Sequence, residues 1–208
     1  MPGLRILCLH GQGSNTEIMK AQLGPITKLL KQNGVATFEW LEGTIPTEAG
    51  PGVSGVFEDE QSIREACEDL EDYLEENGPY DGILGFSQGS TLLAEFLCDF
   101  ARRNPGNEPP CRCAIFMNGI PPYRMGDDEK PIIDYGLLEH FPSIPTLHVV
   151  GKKDFVYEYS TILQASTASA WATLIAHEKG HEISNDTRIV QKINSAFEQM
   201  SIRIALGC

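Results

Sequence analysis

The stretch that decides the fold is GILGFSQG, from Gly82 to Gly89. It contains the pattern G-x-S-x-G, and it lies between the apolar segment Tyr80–Leu84 and a helical segment that carries Leu92–Leu97. A serine at such a strand–turn–helix junction adopts a strained backbone conformation at a helix N-terminus, and its hydroxyl stands above the sheet. The stretch therefore predicts a nucleophilic Ser87, and the alternative is a serine that only caps the helix.

Strand-like and helix-like segments alternate along the whole chain. The predicted strands are Leu4–His10, Ala36–Leu41, Tyr80–Phe86, Cys113–Met117, Thr146–Val150 and Ala172–Ala176. The predicted helices are Thr16–Asn33, Asp59–Glu76, Thr91–Arg102, Tyr157–Ala170 and Thr187–Ile204. This alternation predicts one α/β domain over residues 1–208, with a mostly parallel sheet and helices on both faces. Pro25 is expected to kink or divide the first helix. The segment Gly119–Ser143 has no clear period and is expected to cover a pocket.

Composition and charge limit the classes of partner. The formal net charge of −13 argues against nucleic acid and against anionic membrane surfaces. No apolar run approaches the roughly 18 residues of a membrane span, and the N-terminal apolar run is too short for a signal peptide, so we expect a cytoplasmic protein. The cysteines do not form a disulfide framework, and the C-x-C spacing of Cys111 and Cys113 differs from common zinc sites. Gly11-Gln12-Gly13 does not extend to a dinucleotide-binding pattern. We therefore predict neither a metal nor a cofactor.

A serine nucleophile needs a base, and the base needs an orienting carboxylate. His181 lies in the loop before the last helix, at the same sheet edge as the serine, because the carboxyl ends of parallel strands share one edge. His177, at the end of the preceding strand, is the alternative base. Asp154 follows the fifth predicted strand and is predicted to orient the base, although it is also compatible with an N-cap. The order Ser87, Asp154, His181 is that of α/β-hydrolases.

Backbone N–H groups are predicted to stabilise the oxyanion that forms when the serine attacks. One donor is the N–H of Gln88, the residue after the nucleophile. The second is predicted at Gln12, in the loop after the first strand, with Gly11 and Gly13 as alternatives. His10 is expected to brace this loop through hydrogen bonds.

A chain of this length leaves little room for a cap, which predicts an open pocket. Five apolar or aromatic residues are expected near the carboxyl edge of the sheet and are candidates for its lining, although each residue type is equally compatible with the core. They are Phe57, Ile120, Tyr123, Phe155 and Val156.

Four segments, in one order, resemble the FSH-type serine hydrolases, which include fungal enzymes, an ovarian-tumour-associated homologue and thioesterases of fungal polyketide clusters. The segments are Leu7–Gly11, Gly82–Gly89, Pro145–Gly151 with Asp154, and His177–His181. The resemblance spans Leu4 to about Phe197. Two departures affect the loops: Glu182-Ile183-Ser184 replaces an apolar pair ending in proline, and a usual proline after Asp154 is missing.

The resemblance implies an α/β-hydrolase fold with a minimal cap and a triad of Ser87, Asp154 and His181. It implies hydrolysis of a small-molecule ester or thioester, with release of a polyketide acyl chain from an acyl-carrier domain as the favoured case. Lys152 and Lys153 are the candidate docking patch for that domain. The alternatives are an acyl-protein thioesterase or lysophospholipase, or a non-catalytic binding protein of the same fold.

Overall fold

A six-stranded sheet forms the centre of the molecule. The computed structural model describes residues 3–43, 60–127, 131–167 and 171–207. The strands are β1 (Leu4–Leu9), β2 (Ala36–Leu41), β3 (Gly82–Phe86), β4 (Cys113–Met117), β5 (Tyr123–Met125), β6 (Pro131–Ile133), β7 (Thr146–Gly151) and β8 (Ala172–His177). The helices are α1 (Thr16–Gln32), α2 (Glu60–Asn77), α3 (Gln88–Arg103), α4 (Tyr135–Leu138), α5 (Tyr157–Ser166) and α6 (Thr187–Ala205).

All neighbouring strands of the large sheet are parallel, in the order β2-β1-β3-β4-β7-β8. The strands β3, β4 and β7 are buried along their whole length, because helices cover both faces of the sheet. Ile6 and Cys8 pack with α1 and α6 on one face, while Leu7 and Leu9 pack with α2 and α3 on the other. The predicted α/β architecture is confirmed.

The segment after β4 is more regular than its sequence indicates. It contains the short antiparallel pair β5–β6 and the single turn α4, where the Asp134 side chain accepts a hydrogen bond from Leu137 N–H. Elements of three or four residues are too short to produce a hydrophobic period, which is why the sequence shows none. Pro25 does not divide α1, because it lies on the exposed side, where the carbonyl that loses its hydrogen bond can be hydrated.

The order of the strands places two loops side by side. The chain runs from β1 outward to β2 and then returns to β3 on the other side of β1. The carboxyl ends of β1 and β3 therefore flank the point where the direction of winding changes, which is where open α/β sheets bind ligands. The loop after β1 and the turn at Ser87 meet at this point.

Within the described residues, no helix has the length and apolar character needed to cross a lipid bilayer.

Candidate active site

Ser87 occupies the turn between β3 and α3 in a strained backbone conformation. Its φ of 54° and ψ of −119° lie outside the regions that side-chain-bearing residues ordinarily adopt, which costs about 1–3 kcal/mol. Ser87 is the N-cap residue of α3, yet its side chain makes no capping hydrogen bond. Its Oγ lies 2.7 Å from Nε2 of His181 instead. The turn therefore presents the hydroxyl to the imidazole of His181 and does not use it as a helix cap.

The glycines of the turn are required by space. A Cβ atom on Gly89 would lie 2.4 Å from the carbonyl oxygen of Leu9, and one on Gly85 would lie 2.4 Å from the carbonyl oxygen of Gly89. Non-bonded contacts this short do not occur between a carbon and an oxygen, so a larger residue would push α3 away from β1 at Gly89 and away from β3 at Gly85. The buried Ser90 side chain strengthens the turn, because its Oγ donates to Gly85 O at 2.9 Å and accepts from Met117 N–H at 2.9 Å.

His181 and Asp154 are joined by a close pair of contacts. Nδ1 of His181 lies 2.8 Å from Oδ2 and 3.0 Å from Oδ1 of Asp154, whose side chain is only 1 % exposed. An ionised carboxylate can only accept, so Nδ1 carries the proton and Nε2 is left to accept one from Ser87. The N-cap residue of α5 is Val156, whose N–H donates to Asp154 Oδ1 at 3.0 Å. Asp154 therefore faces the imidazole and does not cap the helix.

Two aromatic rings flank the His181 imidazole. The ring centroid of Phe86 lies 5.4 Å from that of His181, and the ring centroid of Phe155 lies 4.8 Å from it. Phe86 is buried, whereas Phe155 is 60 % exposed. Both rings therefore pack close to the imidazole, one from the interior and one from the surface.

The other histidines of this half of the sheet lie apart from Ser87. His177 is 3 % exposed, accepts a hydrogen bond from Lys179 N–H, and its Nε2 has no hydrogen-bond partner among the described residues. Burial lowers its pKa. His148 is buried in β7 against Phe116 and shares a 2.8 Å hydrogen bond with Thr167 Oγ1. Burial lowers the pKa of His148 to about 3. Both imidazoles are therefore neutral and belong to the packed interior.

His10 fastens the loop that follows β1. Its Nδ1 lies 3.0 Å from the carbonyl oxygen of Gly11, and its Nε2 lies 3.0 Å from the N–H of Gly43. These partners require a neutral ring that donates from Nδ1 and accepts at Nε2. Oε1 of Glu42 also lies 3.3 Å from Nε2, and that contact becomes an ion pair only when the ring is protonated. His10 thus links the loop to the end of β2, as its sequence position predicts.

The same loop approaches Ser87 closely. A Cβ atom on Gly11 would lie 3.1 Å from Ser87 Cβ and 3.2 Å from the carbonyl oxygen of Phe86. Gln12 and Gln88 both line the cavity beside Ser87. The backbone N–H groups of Gln12 and Gln88 therefore stay the predicted oxyanion donors. The side-chain Oε1 of Gln12 is buried and lacks a hydrogen-bond partner in the described part of the chain.

A cavity of about 590 Å³ opens beside Ser87, between the loop after β1 and helices α2 and α3. Its floor is apolar and aromatic, formed by Leu9, Leu41, Ile63, Ala66, Leu70, Tyr73, Leu92 and Tyr123. Its wall also carries five carboxylates, which are Glu42, Asp69, Asp72, Glu76 and Glu95. The described lining contains no lysine and no arginine. The cavity is therefore suited to an apolar group and has a negative rim.

The predicted pocket residues have different positions. Tyr123 lines the cavity. Ile120 and Val156 are each 2 % exposed and pack against Tyr123 outside the cavity lining, which favours the core interpretation for both. Phe155 lies at His181 and does not line the cavity, and Phe57 lies outside the described residues. Substrate contact by these residues stays a prediction.

The contribution of α2 to the cavity lining was not predicted from the sequence. Asp69, Asp72, Tyr73 and Glu76 all line the cavity, and their spacing of three, four and seven residues places them on one face of α2. Acidic residues at helical spacing are typical of a solvated helix face. The period was visible in the sequence, but the packing of that face toward Ser87 was not.

Thiols do not compete with Ser87 as nucleophiles in the described residues. The five described cysteines are Cys8, Cys67, Cys98, Cys111 and Cys113, and all are buried and free. Burial raises the pKa of each thiol, and that of Cys111 reaches about 12. They therefore stay protonated at neutral pH and act as small apolar side chains.

Comparison with known proteins identifies a family of serine hydrolases. The profile of the family described as "Serine hydrolase (FSH1)" matches residues 1–62 and 53–193. "Hydrolase phiM" of Talaromyces stipitatus is 44 % identical, with all of this chain and 91 % of the relative aligned. "Esterase FPY3" of Fusarium mangiferae is 30 % identical over 98 % of this chain and all of the relative.

Solved structures are similar in fold at low identity. The Bacillus cereus carboxylesterase aligns with a TM-score of 0.63 and 17 % identity, over 95 % of this chain and 89 % of that enzyme. At this identity the likeness concerns the fold alone, and it is the α/β-hydrolase fold of an esterase. Because the family profile covers most of the chain, the protein belongs to the FSH1 family of serine hydrolases.

Proposed function

We propose that this protein is a serine esterase that cleaves carboxylic esters or thioesters through an acyl-enzyme. The observation that carries the proposal is the continuous chain of contacts from Ser87 Oγ to His181 Nε2, at 2.7 Å, and from His181 Nδ1 to the buried carboxylate of Asp154. This chain has the roles and the geometry of a nucleophile, a base and an orienting acid. The esterase and hydrolase names of its relatives agree with the proposal.

The proposed reaction has two steps. Ser87 Oγ attacks the acyl carbonyl carbon while His181 Nε2 takes its proton, and Asp154 stabilises the imidazolium that forms. His181 then gives the proton to the leaving alcohol or thiol, and the acyl group stays on Ser87. A water molecule attacks this acyl-enzyme, with His181 again as the base, and releases the acid and the free serine. The N–H groups of Gln12 and Gln88 stabilise the oxyanion of both steps, each contributing about 10²–10³ in rate.

A fluorophosphonate probe tests the nucleophile. It is expected to label the wild-type protein, and the Ser87→Ala variant is expected to stay unlabelled. Ser14→Ala is a matched control, because Ser14 lines the cavity but its Oγ has only a 3.5 Å contact with Asn15 O in the described structure. Equal labelling of the wild type and the Ser87→Ala variant would contradict the proposal. Binding of a ligand without turnover would favour the non-catalytic alternative.

Within this class we propose acyl chains of the polyketide type as substrates, and the support is the resemblance of the four sequence segments. A carrier-bound substrate brings a negatively charged phosphopantetheine arm and an acidic carrier. The cavity rim is acidic, and Lys152 of the candidate docking patch forms an ion pair with Glu178. Docking through Lys152 would have to break that pair. These charges favour a free or small thioester over a carrier-bound one.

A substrate panel separates these possibilities. Nitrophenyl esters and acyl thioesters of graded length, supplied free and on a carrier domain, would be compared, with Ser87→Ala as the blank. Faster turnover of the carrier-bound form, with a strong dependence on salt, would support docking. Rates that are higher for the free thioester and independent of salt would exclude Lys152 and Lys153 as a docking patch for a carrier domain. A preference for long-chain lysolipids or acylated peptides would favour the lysophospholipase or acyl-protein thioesterase alternative.

A further inference from the structure

Asn118 follows β4 in a backbone conformation that few residues adopt. Its φ is 50°, in the left-handed region, and it is 2 % exposed. Asparagine tolerates this region better than other residues with a side chain, because its short amide can form local hydrogen bonds. Its own N–H donates to the carbonyl oxygen of Val149 at 3.0 Å. The residue is thus fixed at the carboxyl edge of the sheet, between β4 and β7.

The side-chain amide of Asn118 joins two loops. Oδ1 accepts a hydrogen bond from Gly151 N–H at 3.0 Å, and Nδ2 donates to the carbonyl oxygen of Glu182 at 3.3 Å. One partner is a donor and the other an acceptor, so the amide has only one orientation that satisfies both.

Each partner leads directly to a member of the triad. The carbonyl oxygen of Gly151 accepts a hydrogen bond from Asp154 N–H at 3.1 Å, which closes the turn that carries the carboxylate. Glu182 is the residue after His181. On the other side, Met117, the residue before Asn118, accepts a hydrogen bond from Ser87 N–H at 2.9 Å. Asn118 is therefore connected, directly or through one neighbouring residue, to the backbone segments that carry all three triad residues.

Two other hydrogen bonds of the described chain connect the same loops without involving β4. Lys152 N–H donates to His177 O at 2.8 Å, and Lys153 N–H donates to Lys179 O at 3.0 Å. These bonds join the Asp154 loop to the His181 loop. The Asn118 amide instead ties both loops to the end of β4, which also holds the backbone of Ser87.

We propose that Asn118 is a positioning residue, which sets the distance between Ser87 and the His181–Asp154 pair. Its side chain bonds to Gly151 and Glu182, and it is not one of the residues that line the cavity, so its effect would pass through the two loops. A shift of about 1 Å at a catalytic group can cost about 100-fold in rate. The inference rests on the proposed esterase function and adds a determinant of its rate.

The test is Asn118→Gly in the full-length protein, assayed with a short nitrophenyl ester. Glycine accepts a φ of 50° without strain, so this variant removes the two amide bonds and keeps the backbone. We expect kcat to fall about 10- to 100-fold with KM changed by less than about twofold. We also expect the downfield proton resonance of His181 Nδ1–H to broaden or move upfield, because the imidazole is less firmly held.

Asn194→Ala is the matched control. Asn194 is also a buried asparagine with two side-chain hydrogen bonds, to Asn33 and Glu198, but it lies on α6. Its loss is expected to lower the midpoint of thermal unfolding and leave kcat and the proton resonance unchanged. An Asn118→Gly variant with the kcat of Asn194→Ala would overturn the proposal.

A second variant decides the question if Asn118→Gly does not fold. Asn118→Asp has the same shape and keeps the bond to Gly151, but it places an oxygen against the carbonyl of Glu182. We expect it to lose about tenfold in kcat, and a wild-type kcat would overturn the proposal. Failure of the underlying function looks different, because Ser87→Ala would then be as active as the wild type.

Discussion

The two walls beside Ser87 are built in different ways. The triad wall, formed by Asn118, Gly151, Asp154 and His181, is held by hydrogen bonds of 2.8–3.3 Å that start at strand ends. The cavity wall, formed by α2 and α3, presents long side chains above an apolar floor. Backbone-anchored bonds fix positions, whereas exposed side chains on helices can change without moving the sheet. We infer that the triad wall determines rate and the cavity wall determines which substrate enters.

The largest effect is expected from a substitution that disrupts the triad wall. Asp154→Asn should lower kcat by about 10⁴-fold, because an amide can hold the imidazole in the wrong tautomer and cannot stabilise its charged form. Steady-state hydrolysis of a nitrophenyl ester measures it. Asp186→Asn is the control, because Asp186 caps α6 and asparagine caps equally well. If Asp154→Asn keeps more than a tenth of wild-type kcat, the assignment of Asp154 is wrong.

The next effect concerns the loop between the two walls. Gly11→Ala would place a Cβ 3.1 Å from Ser87 Cβ and 3.2 Å from Phe86 O, so either the loop that carries the Gln12 N–H or Ser87 itself has to shift by a few tenths of an ångström. We expect kcat to fall by about 100-fold, the usual effect of losing one oxyanion donor. Gly24→Ala in α1 is the control, since its Cβ meets nothing within 4 Å. Equal activity of the two variants would show that the loop after β1 does not provide an oxyanion donor.

A third prediction concerns the acid sensitivity of β7, the strand that leads to Asp154. Burial lowers the folded-state pKa of His148 to about 3, from an ordinary value of 6.5. As the pH falls below 6.5 the unfolded chain binds a proton that the folded protein does not, so the free energy of unfolding decreases. Between pH 7 and pH 5 this loss amounts to about 2 kcal/mol.

Urea unfolding at pH 7 and pH 5 checks this linkage. His148→Gln does not titrate, so its free energy of unfolding should decrease by about 2 kcal/mol less than that of the wild type over this range. The comparison of differences removes the contribution of His177 and of other groups. Equal pH dependence of both proteins would show that His148 does not weaken the triad side of the sheet in acid.

The smallest effect concerns the cavity wall. Asp72 and Glu76 are exposed at the cavity rim on α2. Asp72→Asn combined with Glu76→Gln should raise kcat/KM for an anionic ester by about two- to fivefold relative to its neutral analogue, and salt should suppress the change. Glu75→Gln with Glu108→Gln removes the same charge away from the cavity lining and is the control. An equal change in both pairs would indicate net charge alone.

The sequence predicts best those features that depend on residues close together in the chain or on the ends of strands. The G-x-S-x-G pattern predicts a strand, a turn and a helix. Its glycines, Gly85 and Gly89, lie within a few residues of each other, and each is needed because the backbone packs too closely there for a side chain. The positions of Asp154 and His181 follow from one topological rule, since the carboxyl ends of parallel strands meet at one edge. These features required no knowledge of how the helices pack.

Other features depend on contacts between distant parts of the chain. The choice between His177 and His181 was open in the residue pattern, and the fold places His181 at Ser87 while it buries His177. Ile120 and Val156 are apolar residues near the correct edge, but packing against Tyr123 takes them out of the cavity lining. Residue type alone does not distinguish a core side chain from a pocket side chain.

The sequence by itself thus determined the α/β class, the candidate nucleophile and the order of its partners, because motif, period and strand ends are local properties. Only the tertiary structure decided which face of α2 lines the cavity, and that the Asn118 amide joins loops that are 33 and 64 residues away in the chain. A hydrogen bond between distant residues requires both partners to be placed within about 3 Å. Only the packing of the whole sheet provides that placement.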